Sequence, residues 1–318
     1  MNAAVSVVIP TYKRPDLLGR CLDAVLTQDF AAPYEVIVVD DEPSDDSRRV
    51  VEGLCDQRVR YLANDGRHGP AAARNRGWRA ADAPIIAFTD DDCLPSRTWL
   101  TNGIQAMQEG FAGVSGRIVV PTRHPPSDYE LTTSGLEHSC FVTANCFYRK
   151  EVLAAIDGFD ERFTAAWRED ADVEFSLRER GESLGYAPEA VVVHPVRPAP
   201  WGISLHEQRK SMFNALLYEK HPHLYRDRIQ GTPPLRYYAI LATLAVMVGA
   251  IVSRRGRLAM LLGLFWWLQT ALFAFERLRR TSHRPSHALE MAVTSALIPG
   301  LSVFWRLRGA VRFRVLFL

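Results

Sequence analysis

Five cysteines are too few and too scattered to organise this 318-residue chain. Cys21, Cys55, Cys93, Cys140 and Cys146 are odd in number and none stands in a CxxC pair. That excludes a disulfide framework or a cysteine-built zinc module and points to a reducing cytosol. The thiols read as buried and structural. Glycine-rich phosphate loops are missing too: no GxGxxG follows the first apolar run, and no GxxxxGK[ST] occurs anywhere. Dinucleotide and Walker-type sites thereby lose their main support. No signal peptide is expected, because the apolar run starts at Val5 without a basic stretch before it. Acids are scarce at the C-terminal end. Residues 226–318 hold 14 Arg against Asp227, Glu276 and Glu290, a charge of +11, while residues 1–225 hold 24 Lys and Arg against 33 acids, a charge of −9. The overall +2 conceals that split. A basic, apolar tail on an acidic body points to a membrane surface rather than to nucleic acid.

What the chain does have is a repeating alternation. Val5–Pro10, Tyr34–Asp40, Val59–Ala63 and Pro84–Thr89 are β-branched and nearly all apolar, as strands covered on both faces should be. Between them, Asp16–Gln28 carries Leu17, Leu18, Cys21, Leu22 and Val25 at helical spacing. Ser44–Cys55 opens on capping-type residues, and Gly69–Ala81 is rich in alanine and arginine. Strand and helix in alternation predict an α/β fold with a mostly parallel central sheet and helices on both faces. Residues 118–140, rich in Pro, Ser, Thr and His, read as a mobile loop, and a helix is expected around Trp201–His221.

The tail begins after Pro233-Pro234. Tyr237–Val252 gives 16 uncharged residues, Leu258–Phe275 gives 18, and Met291–Trp305 is interrupted by Pro299-Gly300. A spanning helix needs about 20 apolar residues, so the second run qualifies and the first is marginal. Both flanking links are arginine-rich, which gives no consistent two-span topology. The expectation is a domain at 1–225 followed, over 226–318, by one or two transmembrane or re-entrant helices and an amphipathic C-terminus.

Ligands on parallel sheets bind beyond the carboxyl ends of the strands. Those ends read Pro10-Thr11-Tyr12, Asp40-Asp41 and Asp90-Asp91-Asp92. Asp90 and Asp92, two apart in extended chain, address one face. An all-oxygen pair there suits Mg2+ or Mn2+, and a bound cation relieves the repulsion of three adjacent acids. Asp40-Asp41 ends the second strand, where acids accept hydrogen bonds from a ribose or base, and Arg74 can meet a diphosphate bidentately. Glu169 and Asp170 open a second acidic cluster, which reads either as a charged helix cap or as a general base. His194 ends the apolar run AVVVH and can complete a metal shell, or be structural.

These stretches together resemble the inverting, nucleotide-sugar-dependent glycosyltransferases of family 2, with the GT-A fold. The resemblance is carried by VSVVIPTYKRPDLLGRCLDAVLTQ, YEVIVVDDEPSDDS, GPAAARNRGW, FTDDDCLP, GFDERF and REDADVEFSLRERG, over roughly residues 4–195. It implies that Pro10, Thr11, Tyr12, Asp41, Arg74 and Asp91 line the donor nucleotide. It implies a metal on Asp90 and Asp92, helped by His194, with Asp170 as catalytic base and Glu169 second to it. Asn145 and Trp167 fall where substrate contacts are expected. The sequence departs from the family pattern twice. The usual DDGS is here DDEPSDD, and the QxxRW of processive synthases is reduced to EQRKSM. One sugar per encounter is therefore expected, from a UDP-, GDP- or dTDP-linked donor to a lipid-linked or other cell-envelope glycan acceptor. The site of action expected is the cytoplasmic face of the membrane. A polyprenyl-phosphate glycosyltransferase is the alternative; a sugar nucleotidyltransferase and an inactive membrane scaffold stand behind it.

Overall fold

The computed structural model describes residues 3–317. The chain up to Pro121 forms one compact unit together with Ser134–Val196, and Thr122–Thr133 joins the chain from Arg197 onward in a second. Residues 197–225 thus cluster with the C-terminal helices.

The first unit opens with β1 (Val5–Thr11), α1 (Pro15–Leu26), β2 (Tyr34–Asp40), α2 (Asp45–Gly53), β3 (Val59–Ala63), α3 (Pro70–Ala80) and β4 (Ile85–Phe88). β3, β2, β1 and β4 lie side by side and parallel. The reason is in the residues. β1 and β2 are buried along nearly their whole length, and α1 lays Leu18, Cys21, Leu22 and Val25 onto the sheet. Ser44 caps α2, its hydroxyl accepting from the Ser47 N–H at 3.2 Å. α3 packs so closely on β1 that a Cβ at Gly77 would collide with the Val8 side chain.

The remainder of the sheet is mixed. It adds β5 (Leu94–Pro95), α4 (Trp99–Met107), β6 (Gly113–Val119), then α5 (Asp128–Thr133) on the excursion into the second unit. β7 (Cys146–Arg149), α6 (Lys150–Ala155), α7 (Glu169–Glu179) and β8 (Leu184–Val193) complete it. The strand order is β3-β2-β1-β4-β7-β6-β8-β5, with β7 antiparallel to β4 and β6, and β5 antiparallel to β8. The parallel half is the one read from sequence; the antiparallel strands come from stretches without a comparable apolar run.

The second unit contains α8 (Ile203–Glu207), a 3₁₀ turn (Gln208–Met212), α9 (Phe213–Lys220), α10 (Pro222–Arg228), α11 (Leu235–Val252), α12 (Gly256–Leu278) and α13 (Pro285–Arg312). The helix expected around Trp201–His221 is broken by the 3₁₀ turn. There the Met212 backbone lies against Gly309 so closely that a side chain at 309 would have no room.

The stretch 118–140, expected as a loop, forms α5 and a 3₁₀ turn at Ser134–His138. α5 starts with a reciprocal cap. The Glu130 N–H donates to the Ser127 hydroxyl at 3.2 Å and the Ser127 N–H to Glu130 Oε2 at 2.6 Å. Asp128 then pairs with Arg277 of α12 at 2.7 Å, and Arg277 also donates to Thr294 and Ser295 of α13.

Three helices, α11, α12 and α13, are long and apolar enough to cross a membrane. Where one or two spans and a separate amphipathic end were expected, α13 runs as a single helix through Pro299. A proline removes one backbone hydrogen bond, but a helix packed against neighbours absorbs that loss. α13 is also inside out for a water-soluble helix. Leu289, Val293, Leu297, Phe304, Leu307 and Val311 face outward, while His287, Thr294, Ser295 and Arg306 face inward. On α12, Leu264, Phe265, Trp267 and Leu268 are exposed. Outward apolar and inward polar is the arrangement a lipid solvent selects.

Candidate active site

The parallel register sets Thr11 beside Asp40 and Val8 beside Phe88, so the three polar strand ends emerge on one edge. Each acid then takes a different post. Asp91 turns inward: it is 2% exposed, accepts from the Thr11 hydroxyl at 2.8 Å and pairs with Arg14 at 3.0 Å. Burial, opposed by Arg14, pushes its carboxyl up to about 6. Both oxygens are thus engaged by the protein, and Asp91 braces the turn. Asp90 pairs with Arg74 at 2.7 Å. Asp92 lies 3.7 Å from His194 Nε2 and 3.8 Å from Arg14.

His194 arrives by way of a two-residue ladder. Leu94 pairs with Val193 and Pro95 with Val192, antiparallel, so the next positions outward, Cys93 and His194, meet beside the acidic turn. Asp90, Asp92, Cys93 and His194 each offer one ligand atom within 4.8 Å of the others. His194 Nδ1 is buried without a hydrogen-bond partner. Two carboxylates and an imidazole whose Nε2 stands 3.7 Å from Asp92 fit a divalent cation.

Arg74 spans the site. Its guanidinium is 2% exposed and reaches Asp90 on one side and Glu169 Oε1, at 3.1 Å, on the other. Burial disfavours its charge, but Asp90 and Glu169 outweigh that and hold it above its usual range. Glu169 also accepts from the Trp167 N–H at 2.7 Å. Burial and then Asp170 push Glu169 up, against Arg74; burial raises Asp170 as well, against the Ala171 N–H and Arg168. Both carboxyls are thereby held above the ordinary carboxylate range. Both stand at the start of α7, just after Arg168, whose φ of 77° is left-handed.

The nucleotide-side residues divide. Tyr12 is 45% exposed, with Lys13 over its ring and paired to Glu42 at 2.7 Å. Glu42 is the residue that stands in place of the family glycine. Pro10 is half-buried at the strand end. Asp41 accepts from the Gly69 N–H on both oxygens at 2.9 Å and from Asn64 at 2.8 Å. It therefore pins the turn, at Gly69 φ 118°, from which α3 carries Arg74. Trp167 is 37% exposed under the Arg168 guanidinium. Asn145 is fully buried; its amide accepts from Trp99 Nε1 and donates to the Arg117 and Ala190 carbonyls. Its amide is thus committed on both ends to partners inside the sheet. Two residues went unread in the sequence: Arg14, signalled only by the basic KRP after β1, and Cys93, which read as one more structural thiol. A cavity of about 530 Å³ between α2 and β3 holds none of these groups.

Residues 6–163 match the family described as glycosyl transferase family 2. A glycosyltransferase of Haloferax volcanii is 28% identical over 61% of this chain and 67% of its own length. The GalNAc(5)-diNAcBac-PP-undecaprenol beta-1,3-glucosyltransferase of Campylobacter jejuni is 32% identical over 45% of this chain and 47% of its own. The chain thus spans about two fifths to two thirds of the length of the curated relatives it matches. Among solved structures, a mannosyltransferase of Pyrobaculum calidifontis in complex with GDP-Man and Mn2+ aligns over 96% of this chain and 88% of that one, at a TM-score of 0.61 and 20% identity.

Proposed function

The chain belongs to glycosyl transferase family 2, and on that footing we propose that it moves one sugar from a nucleoside diphosphate donor to a lipid-linked acceptor hydroxyl, with inversion. The observation that carries this is Arg74, held at 2.7 Å from Asp90 and 3.1 Å from Glu169. One guanidinium thus joins the end of the site where a diphosphate would leave to the end where a hydroxyl would be deprotonated.

The residues divide the work as follows. Asp90, Asp92 and His194 would hold a divalent cation, Mg2+ or Mn2+, which when bound supplies positive charge to the departing diphosphate. Arg74 adds charge from the protein side and is already paid for in position, since two carboxylates fix it. Asp41 aligns α3 through Gly69, and Tyr12 offers an exposed ring to the base. Trp167 gives a flat apolar wall for a sugar. Asp170, raised by burial, takes the proton from the attacking hydroxyl, a contribution of about 10²–10⁴ in rate. Glu169 keeps Arg74 in place and is itself raised by burial and by the neighbouring Asp170. A single in-line attack from the side opposite the diphosphate inverts the sugar carbon.

The acceptor is assigned from location. The outward apolar faces of α11, α12 and α13 favour a bilayer, and the Campylobacter jejuni relative is named for an undecaprenyl diphosphate glycan. We place the catalytic segment at 1–225 and its action at the cytoplasmic face. The test is Asp170→Asn in the full chain. Cation-assisted donor binding should persist while transfer falls; transfer at a near-wild-type rate would remove Asp170 as the base.

A further inference from the structure

We propose that Cys93 is a metal ligand, so that Asp90, Asp92, Cys93 and His194 can close around a thiophilic divalent ion of the zinc or cadmium class. This rests on the site reading above and adds to it an ion that blocks rather than supports the reaction.

The sequence argues against cysteine-built zinc modules, because such modules need paired thiols. The fold assembles a different set. The ladder of Leu94 with Val193 brings a thiol and an imidazole together from positions a hundred residues apart, and the acidic turn supplies two carboxylates. The four ligand atoms lie within 4.8 Å of one another. In a tetrahedral zinc site with bonds of about 2.0–2.3 Å, ligand atoms stand about 3.3–3.8 Å apart. Contraction by about 1 Å therefore completes the shell. Cys93 Sγ is already 3.9 Å from Asp92 Oδ1, and His194 Nε2 is 3.7 Å from the same oxygen. Arg74 occupies Asp90 Oδ1 and leaves that residue's other oxygen for the ion.

Ligand chemistry sets the preference. Mg2+ and Mn2+ prefer oxygen, take six ligands, and leave positions for a diphosphate. Zinc and cadmium accept sulfur and are satisfied by four protein ligands. A shell closed by Cys93 has no vacancy for the donor. On binding, the sulfur–metal bond forms as the thiol proton passes to solvent, with no change of oxidation state.

The experiment uses the full chain in detergent micelles with Cys55→Ser and Cys140→Ser, which removes the two exposed thiols. Cd2+ titration should produce the ultraviolet sulfur-to-cadmium charge-transfer band, and Cys93→Ser should abolish it. Free Mn2+, followed by its paramagnetic resonance, should be displaced by Zn2+, and Cys93→Ser should raise the Zn2+ needed about 10–100-fold. No band in the parent, or a band undiminished in Cys93→Ser, overturns the proposal. Should the serine variant fail to fold, X-ray absorption on the cadmium-loaded parent decides. A sulfur in the first shell, with affinity lowered by His194→Ala, supports the site; a sulfur-free shell overturns it. Mn2+-assisted binding of UDP and GDP to the same parent is measured separately. Failure there counts against the transferase reading and leaves the cadmium result standing.

Discussion

The two compact units solve the burial of charge in opposite ways. In the first, charge gathers at the carboxyl edge of a sheet whose interior is apolar on both faces: Asp91, Arg74 and Glu169 are each under 4% exposed. In the second, the outer surface is apolar, and the Arg277–Asp128 pair with Thr294 and Ser295 lies inside. Water is the solvent that explains the first arrangement and lipid the second. Charge buried in the sheet unit perturbs protonation. Charge buried among the helices is paired and tied to packing.

Breaking the acidic edge should give the largest effect. Asp170→Asn is expected to lower donor-saturated transfer by about 10²–10⁴, or about 3–5 kcal/mol of barrier, in single-turnover assays. Second comes the outer face of the helical unit. Phe265→Arg, central in α12, should cost about 2.5–3.5 kcal/mol of insertion; membrane fractionation with glycosylation-tag mapping reads it, and unchanged recovery in the membrane pellet would contradict a lipid-facing α12.

The inner pair of that unit ranks third. Arg277→Ala leaves Asp128 without its partner, and removing one member of a buried pair costs about 3–5 kcal/mol. Because both side chains keep some exposure, 12% and 18%, about 2 kcal/mol is the figure to expect from melting in detergent. Arg277→Ala combined with Asp128→Ala should recover part of that loss, and a double variant no better than the single one would show that the pair does not couple.

Protonation sharpens the contrast further. Burial raises Glu169 and Asp170, so transfer should fall with acid along a limb lying above the ordinary carboxylate range. A limb near pH 4 in the pH profile of donor-saturated transfer would sink that assignment. Asp91 gives the smallest signal. Its folded value of about 6 exceeds the unfolded 3.8, so its contribution to stability is full below about pH 4 and lost as pH rises through 6. Metal-free melts between pH 4 and 7.5 should show that decline. Arg14→Gln, which removes the opposing charge, should move it to higher pH.

How legible all this was depends on whether the signal is local. β1, β2 and β4 announce themselves as apolar runs, and their polar ends place Asp41 and Asp90 to Asp92 directly. Ser44 is a cap by residue type alone. Arg74 and Glu169 were visible as candidates, but their pairing through 95 positions of chain was not. Asn145 shows the limit in the other direction: it stands where a contact is expected, yet its bonds are spent inside the sheet. The cap at Ser127 was readable as S-x-x-E and was masked by the prolines and histidines around it. α13 escaped because Pro299 is a helix breaker in water, whereas its lipid-and-protein surroundings tolerate it.

The shortest ladder described, Leu94 and Pro95 against Val193 and Val192, acts as a clasp on the whole edge. Strand side chains alternate with a period of two. An insertion of one residue in β8 would therefore swing the imidazole to the far side of the sheet while every other strand kept its neighbours. The protein would remain folded, with its grip on cations reduced to two carboxylates and the Cys93 thiol. Spacing along β8, more than the identity of any residue on it, is what inheritance has to preserve.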